Sequence, residues 1–454
     1  MTRQNFKVIN PTTTQVLAGL PIGSADDVAD AVDKAAAADW PRMTPPDRAD
    51  AVLEGVQRAG AAGDELARLQ CLEMGQPWSI ARPLVDALLA EFADTMTAAI
   101  NYPFVTSLAT TPATTEVRRL PRGPAALITP WNFPLPVALG GLMLLIAAGN
   151  AVVWKPSEIS PLSALRLVEL LDLPAGALTV VTGDASTGRA LCDHPDIAIG
   201  HFTGSVAAGR EVARRFADRF RPVVMELGGK DPVVIDADVD PLWAAQVVAH
   251  GAFWNSGQVC TSMERIYVHD SIAAQFVDAL AATTERYVVG DPLDPATELG
   301  PLGTAEHREH VRAHLADAEA NGAQVVARGT TPELPGWFLP PVVVTGLEPG
   351  MRLHDEETFG PVAAVRTVSS YDEGIALARA SAYGLAATVL TNNGAHAAQA
   401  AELPAAVVWV NEWQGGASGA VYEPTGVSGI GVVGTLDTMT RPMMLHRAPA
   451  GPAA

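Results

Sequence analysis

From Ala125 onward, short apolar runs of strand length alternate with helix-period segments, and that alternation limits the chain to few folds. Residues 125–128, 151–154, 178–181 and 197–202 are strand-like, with helical patterns between them. A second series starts at Pro232 and takes in residues 232–235, 265–268, 338–344 and 407–410. Runs that are apolar throughout suit strands covered on both faces, and a helix between successive strands makes them parallel. The reading is an α/β protein with two doubly wound units in series. At 454 residues the chain exceeds the roughly 250–300 that one hydrophobic core serves, so two or three domains are expected.

Ahead of this region the pattern is helical. Ser24 and Asp27 precede Val28, Ala31, Val32 and Ala35 as in a capped amphipathic helix, and residues 47–58 and 65–73 read alike. Residues 116–120 form an outlying β-prone run before the turn 121–124, and the extended tail 440–446 suits a sheet edge in this subunit or another. Residues 135–149 are the most apolar stretch, but they contain glycines and a proline and fall short of the roughly 20 residues a membrane span needs, so they read as a buried helix.

A formal net charge of −20 would repel a phosphate backbone, and no basic run relieves it, which argues against nucleic acid as a partner. Cys71, Cys192 and Cys260 cannot all pair and lack CxxC spacing, so a reducing, cytoplasmic setting is expected, without a cysteine metal site. The first ten residues have no long apolar stretch and read as no secretory leader. His307 and His310 share a helix face among Glu306, Arg308 and Glu309 and read as part of a solvated helix, with no metal.

Chemistry gathers at a few turns. Cys260 ends a polar, glycine-containing loop from Asn255, where a thiol can reach a substrate, although a free cysteine taken alone is more often a small buried hydrophobe. Glu226 ends a β-prone run before Leu227-Gly228-Gly229-Lys230, a place for a general base or for a lysine-paired carboxylate. Asn132 lies between Pro130 and Pro134, so its amide is either an aimed oxyanion donor or an ordinary turn group. Gly204 and Ser205 follow a strand and open a helix, suiting a pyrophosphate, but the Gly-x-Gly-x-x-Gly fingerprint is absent. Lys155, Ser157 and Glu158 end another strand, where open α/β sheets bind ligands.

In order and wording these segments resemble the aldehyde dehydrogenase superfamily over nearly the whole chain. The carrying segments are Pro130-Trp131-Asn132-Phe133-Pro134, Trp154-Lys155-Pro156-Ser157-Glu158, Phe202-Thr203-Gly204-Ser205, Glu226-Leu227-Gly228-Gly229-Lys230, Gly257-Gln258-Val259-Cys260 and Glu357-Thr358-Phe359-Gly360-Pro361. The resemblance implies Cys260 as nucleophile, Glu226 as general base and Asn132 as oxyanion donor beside the Cys260 N–H. It implies a dinucleotide held by Thr129, Pro130, Trp131, Lys155, Ser157, Glu158, Gly204, Ser205, Leu227, Gly228, Glu357 and Phe359. Glu158 would repel a 2′-phosphate, which favours NAD over NADP. An aldehyde is the implied substrate, with Phe133, Trp413 and Trp131 lining an apolar tunnel, or Trp413 serving a subunit contact instead.

The implied architecture is a Rossmann-type cofactor domain over 1–225, with 107–122 lent to a small oligomerisation β-sheet. A catalytic domain over 226–421 and a return segment over 422–454 complete a homodimer or homotetramer. The chain departs from the family in three places. Residues 423–431 lack an aromatic and a lysine that many members carry near the substrate entrance, and Gly141 and Val433 stand where many members have a lysine and a glutamate. Losing both partners of a buried pair avoids an unpaired charge, and Glu226 is then expected to work through water alone, with slow deacylation. Two other readings stand beside this one: an acylating enzyme that passes the thioester to coenzyme A, and a non-catalytic dinucleotide-binding relative.

Overall fold

The computed structural model describes residues 4–109, 113–416, 419–449 and 451. Residues 1–3, within the stretch read as lacking a leader, and 110–112, within the 107–122 run, lie outside them. The first α/β series forms a six-stranded sheet. Its order is Gly429–Ile430, Val223–Glu226, Ile199–Thr203, Ala125–Ile128, Val152–Lys155 and Leu178–Val180. The five strands from Val223–Glu226 to Leu178–Val180 all pair parallel. Their sequence order reverses at Ala125–Ile128, which makes a crevice beyond the carboxyl ends of that strand and of Ile199–Thr203. Apolar strands and the helix Pro136–Ala147, almost wholly buried, share one core with the N-terminal helices.

The second series forms a seven-stranded sheet in the order Gln324–Arg328, Val342–Thr345, Val362–Val368, Met263–His269, Asp231–Ile235, Ala386–Leu390 and Val407–Val410. Only Gln324–Arg328 runs antiparallel to its neighbour. The run expected from residue 338 begins its ladder only at Val342, because Pro340 and Pro341 have no N–H to give to it. The tail Thr440–Arg447 pairs over eight residues with Thr114–Pro121 of its own chain, so the partner of this strand is internal. It remains an edge strand on its other side. Among the described residues, no helix is long and apolar enough to cross a membrane.

Several elements lie outside the sequence reading, among them the strands Gln324–Arg328, Val362–Val368 and Ala386–Leu390 and one long helix. Trp78–Ile100 is a 23-residue helix with Pro83 in its second turn. Its buried Ala81, Val85, Leu88, Leu89, Phe92 and Met96 recur at helical spacing, a signal that was available in the sequence.

Candidate active site

The helix Pro241–Phe253 runs into a tight turn that delivers Cys260. Asn255, Ser256 and Gly257 all take positive φ, of 51°, 57° and 71°. Such a run costs energy for non-glycine residues and persists only where surroundings hold it. Here the Ser256 hydroxyl donates to the Gly300 carbonyl at 2.8 Å, and the Asn255 amide donates to the Asn132 carbonyl at 3.2 Å. At Gly257 any Cβ would lie 2.1 Å from the Gly360 carbonyl oxygen, so this turn packs directly on the 357–360 loop.

Cys260 is half-buried and opens into a cavity of about 790 Å³, whereas Cys71 and Cys192 are buried. Burial, reinforced by the charges of Glu226, Asp231 and Glu357, pushes the Cys260 thiol well up. Glu226 lines the same cavity from the end of Val223–Glu226. Burial raises its carboxyl, and a hydrogen bond donated by the Tyr422 hydroxyl opposes that rise. Glu226 thus has a phenol partner beside it, one that the sequence reading does not include. Tyr422 is tied to Val433 by a pair of backbone hydrogen bonds, so the change at Val433 leaves an apolar cavity wall that supports the tyrosine.

Residues 423–431 also differ from expectation. Rather than forming the entrance, they buttress the Glu226 turn: Leu227 N–H donates to the Ser428 carbonyl, and the Ser428 hydroxyl to the Gly228 carbonyl, each at 2.8 Å. The cavity is lined by residues on either side of that segment, including Ala420, Tyr422, Val433 and Leu436. Asn132 is buried, and its Nδ2 donates to the Gln258 carbonyl at 3.0 Å, two residues before Cys260. An amide nitrogen carries two hydrogens, so one remains for another oxygen.

Phe133 lines the cavity, stacked on Trp254 at 5.3 Å between ring centroids. Trp413 does not line it: its ring stands edge-on behind Trp254 at 5.7 Å and its Nε1 donates to the Thr261 carbonyl. Trp131 is likewise away from the tunnel, meeting His307 at 5.4 Å and Phe359 at 5.8 Å. His307 is not a solvated helix residue, since its Nε2 lies 2.6 Å from the Phe359 carbonyl, and burial pushes it down to about 4.

The 357–360 loop is held from several sides. The buried Lys230 ammonium meets Glu264 at 2.6 Å and the Thr358 hydroxyl at 3.1 Å, while Glu264 accepts the Thr358 and Phe359 N–H groups, each at 2.8 Å. Glu357 accepts the Gly229 N–H at 3.0 Å, and burial with the nearby Glu264 charge raises it to about 8. A Cβ at Gly228 would lie 2.1 Å from a Glu357 oxygen. Lys230, Glu264 and Tyr422 are not among the site residues expected from the sequence; their partners are remote along the chain, and no local pattern signals such pairing.

Across the first sheet, Lys155 Nζ meets Glu158 at 3.1 Å at the end of Val152–Lys155. Ser205 caps the helix Val206–Ala217 by accepting from Ala208, which leaves the first N–H groups of that helix facing the crevice. The Ser157 hydroxyl accepts from the Ile159 N–H, and the Thr129 hydroxyl is engaged by Trp154 Nε1 at 2.9 Å.

A half-buried thiol and a carboxylate share one cavity beside a strand-switch crevice, and residues 1–444 match the aldehyde dehydrogenase family. The chain belongs to that family. It is 38% identical over 426 residues to phenylacetaldehyde dehydrogenase of Pseudomonas fluorescens, covering 90% of this chain and 85% of that protein. It is 33% identical to the peroxisomal aminoaldehyde dehydrogenase 2 of Malus domestica, with the same coverage. Its fold matches betaine aldehyde dehydrogenase from Staphylococcus aureus in complex with NAD+ at a TM-score of 0.93 and 28% identity, over 98% of this chain and 92% of that one. This aldehyde dehydrogenase thus has the expected α/β fold with two mostly parallel sheets.

Proposed function

We propose that this aldehyde dehydrogenase oxidises its aldehyde to a carboxylic acid with NAD, or less readily NADP, through a thioester on Cys260. The observation that carries the reading is the meeting of Cys260 and Glu226 in one cavity, with Glu226 held by Tyr422. The fit of a dinucleotide rests on the helix start at Ser205, the Lys155–Glu158 pair at a strand end, and Gly228, where only a residue without a Cβ lets Glu357 approach the backbone this closely. Thr129, Pro130, Trp131, Ser157, Gly204, Leu227, Glu357 and Phe359 complete that site in this reading. When bound, the oxidised nicotinamide supplies the hydride acceptor.

The chain's own residues do the rest. The Cys260 thiolate adds to the aldehyde carbon, and the oxyanion is held by the Cys260 N–H and the second hydrogen of Asn132 Nδ2. Loss of hydride leaves a thioester. Glu226 then takes a proton from water, whose oxygen adds to the thioester carbon; the C–S bond breaks and the acid leaves. A hydrolytic base of this kind would be superfluous if coenzyme A were the acyl acceptor.

Phe133, Trp254 and Val259 make the wall nearest Cys260 apolar, while Glu91 and Asp94, three apart on the Trp78–Ile100 helix, are exposed carboxylates on the same cavity. An aldehyde with an aryl or alkyl body suits this wall. The open edge of Thr440–Arg447 and the exposed Met444 support a homo-oligomer, and three free cysteines suit the cytoplasm. The domains in this reading are 1–225, 226–421 and 422–454. The test is cofactor reduction, followed by absorbance with aryl, alkyl, amino and carboxylated aldehydes and NAD or NADP. Turnover with aryl or alkyl aldehydes, lost on Cys260→Ala, is expected; cofactor binding without turnover of any aldehyde would overturn the reading.

A further inference from the structure

Two residues beside Glu226 have polar atoms that the mechanism above does not use. His201 is 2% exposed, and neither ring nitrogen has a hydrogen-bond partner; the Thr203 hydroxyl is buried without one as well. Orphaned buried polar groups are rare in folded proteins because each forfeits its hydration, and buried water is the usual remedy. Their placement is specific. Thr203 is the register partner of Glu226 on the neighbouring parallel strand, and His201 is two residues earlier on the Thr203 strand. Side chains two apart on a strand, and those in register on its neighbour, share a face.

The helix packed on that face makes room for the imidazole. A Cβ at Gly141 would fall 2.7 Å from His201 Nδ1, whereas a Cβ at Gly140 would meet nothing within 4 Å. Gly140 and Thr203 both line the cavity that holds Glu226 and Cys260. Two adjacent glycines inside a helix weaken it relative to alanine. Here one admits the ring and the other leaves open space.

We propose that His201, with Thr203, holds buried water behind Glu226, and that the proton Glu226 takes during thioester hydrolysis returns to the cavity solvent through that water. The inference rests on the thioester reading of Cys260. Two hydrogen bonds through one water span about 5.6 Å, so one or two waters cover the roughly 6.6 Å between alternate residues of a strand. Each water accepts the incoming proton and releases another, leaving Glu226 ionised for the next turnover. Burial pushes His201 down to about 4, so at neutral pH its ring offers one donor and one acceptor nitrogen to such water. His201 touches neither substrate nor cofactor; it is a positioning residue.

The test uses p-nitrophenyl acetate without cofactor. Attack by the Cys260 thiolate forms an acetyl thioester and expels p-nitrophenolate in a burst, and the steady rate that follows reports hydrolysis alone. For His201→Leu, Thr203→Val and Gly141→Ala, which crowds the ring, burst amplitude and rate should match the parent. Their steady rate should fall roughly tenfold, short of the roughly 10²-fold that losing a general base outright costs. His201→Gln, whose amide both donates and accepts, should recover most of it. Burst amplitude counts competent sites, so misfolding of one variant is not mistaken for slow hydrolysis. Full bursts with steady rates within twofold of the parent in both His201→Leu and Thr203→Val would overturn the proposal, whereas a parent without any burst would sink the thioester reading itself.

Discussion

Glu226, on the cavity of Cys260, and Glu357, on the loop packed beside it, live in opposite surroundings. Around Glu357 nearly every polar group is committed: Gly229 donates to it, Lys230 pairs with Glu264, and Glu264 gathers the next two N–H groups of the loop. Around Glu226 one hydrogen bond from Tyr422 stands beside the unpartnered His201 and Thr203. A densely paired network holds one geometry, while unpartnered polar atoms next to a carboxylate leave room for water. The first region holds a loop still, and proton exchange is the role proposed for the second.

Changes at the reacting groups should separate the two regions most sharply. Cys260→Ala should lower aldehyde turnover by at least about 10⁴-fold while urea denaturation stays unchanged, whereas substitutions at the buried Cys71 or Cys192 should cost stability and spare turnover. Retained turnover in Cys260→Ala would dissolve the contrast altogether. Glu226→Gln should slow thioester hydrolysis by roughly 10²- to 10⁴-fold and leave the first-turnover burst of reduced cofactor intact. A burst lost along with hydrolysis would mean that Glu226 serves the first half-reaction too.

On the paired side the expected damage is to stability. Lys230→Met strands the buried Glu264 carboxylate and should cost about 3–5 kcal/mol in urea unfolding, with partial recovery on adding Glu264→Gln. If the single variant unfolds like the parent, the loop is not held by that pair. The smallest effect is on the open side. The Tyr422 hydrogen bond favours ionised Glu226 against burial, so Tyr422→Phe should raise the Glu226 pKa further. A base must be ionised to act, so the hydrolysis limb of the pH–rate profile should move to higher pH by about one unit or less. A shift to lower pH would show that the phenol instead favours the protonated carboxyl.

Most of the fold was legible because its signals are local. Apolar strand runs at 125–128 and 407–410 matched Ala125–Ile128 and Val407–Val410, and Ser24 with Asp27 forms the expected capping box. The strand from 338 was misjudged at its start, where proline chemistry outweighed apolar character. The long helix from Trp78 to Ile100 went unread despite its periodicity, and with it Glu91 and Asp94 on the cavity.

The sequence by itself determined which turns carry Cys260, Glu226 and Asn132, because a glycine-flanked loop or a residue between prolines is written in neighbouring positions. What stands around those turns was decided by tertiary structure. Tyr422 reaches Glu226 across 196 residues, Lys230 from a turn and Glu264 from a strand close on Thr358, and His201 lies against Gly141 from another layer. Trp413 illustrates the same limit from the other side: its loop suggested a substrate contact, yet packing seats it behind Trp254. Local spacing sets which groups are present and how each turn bends; only the packing of distant segments sets which buried groups find a partner and which are left for water.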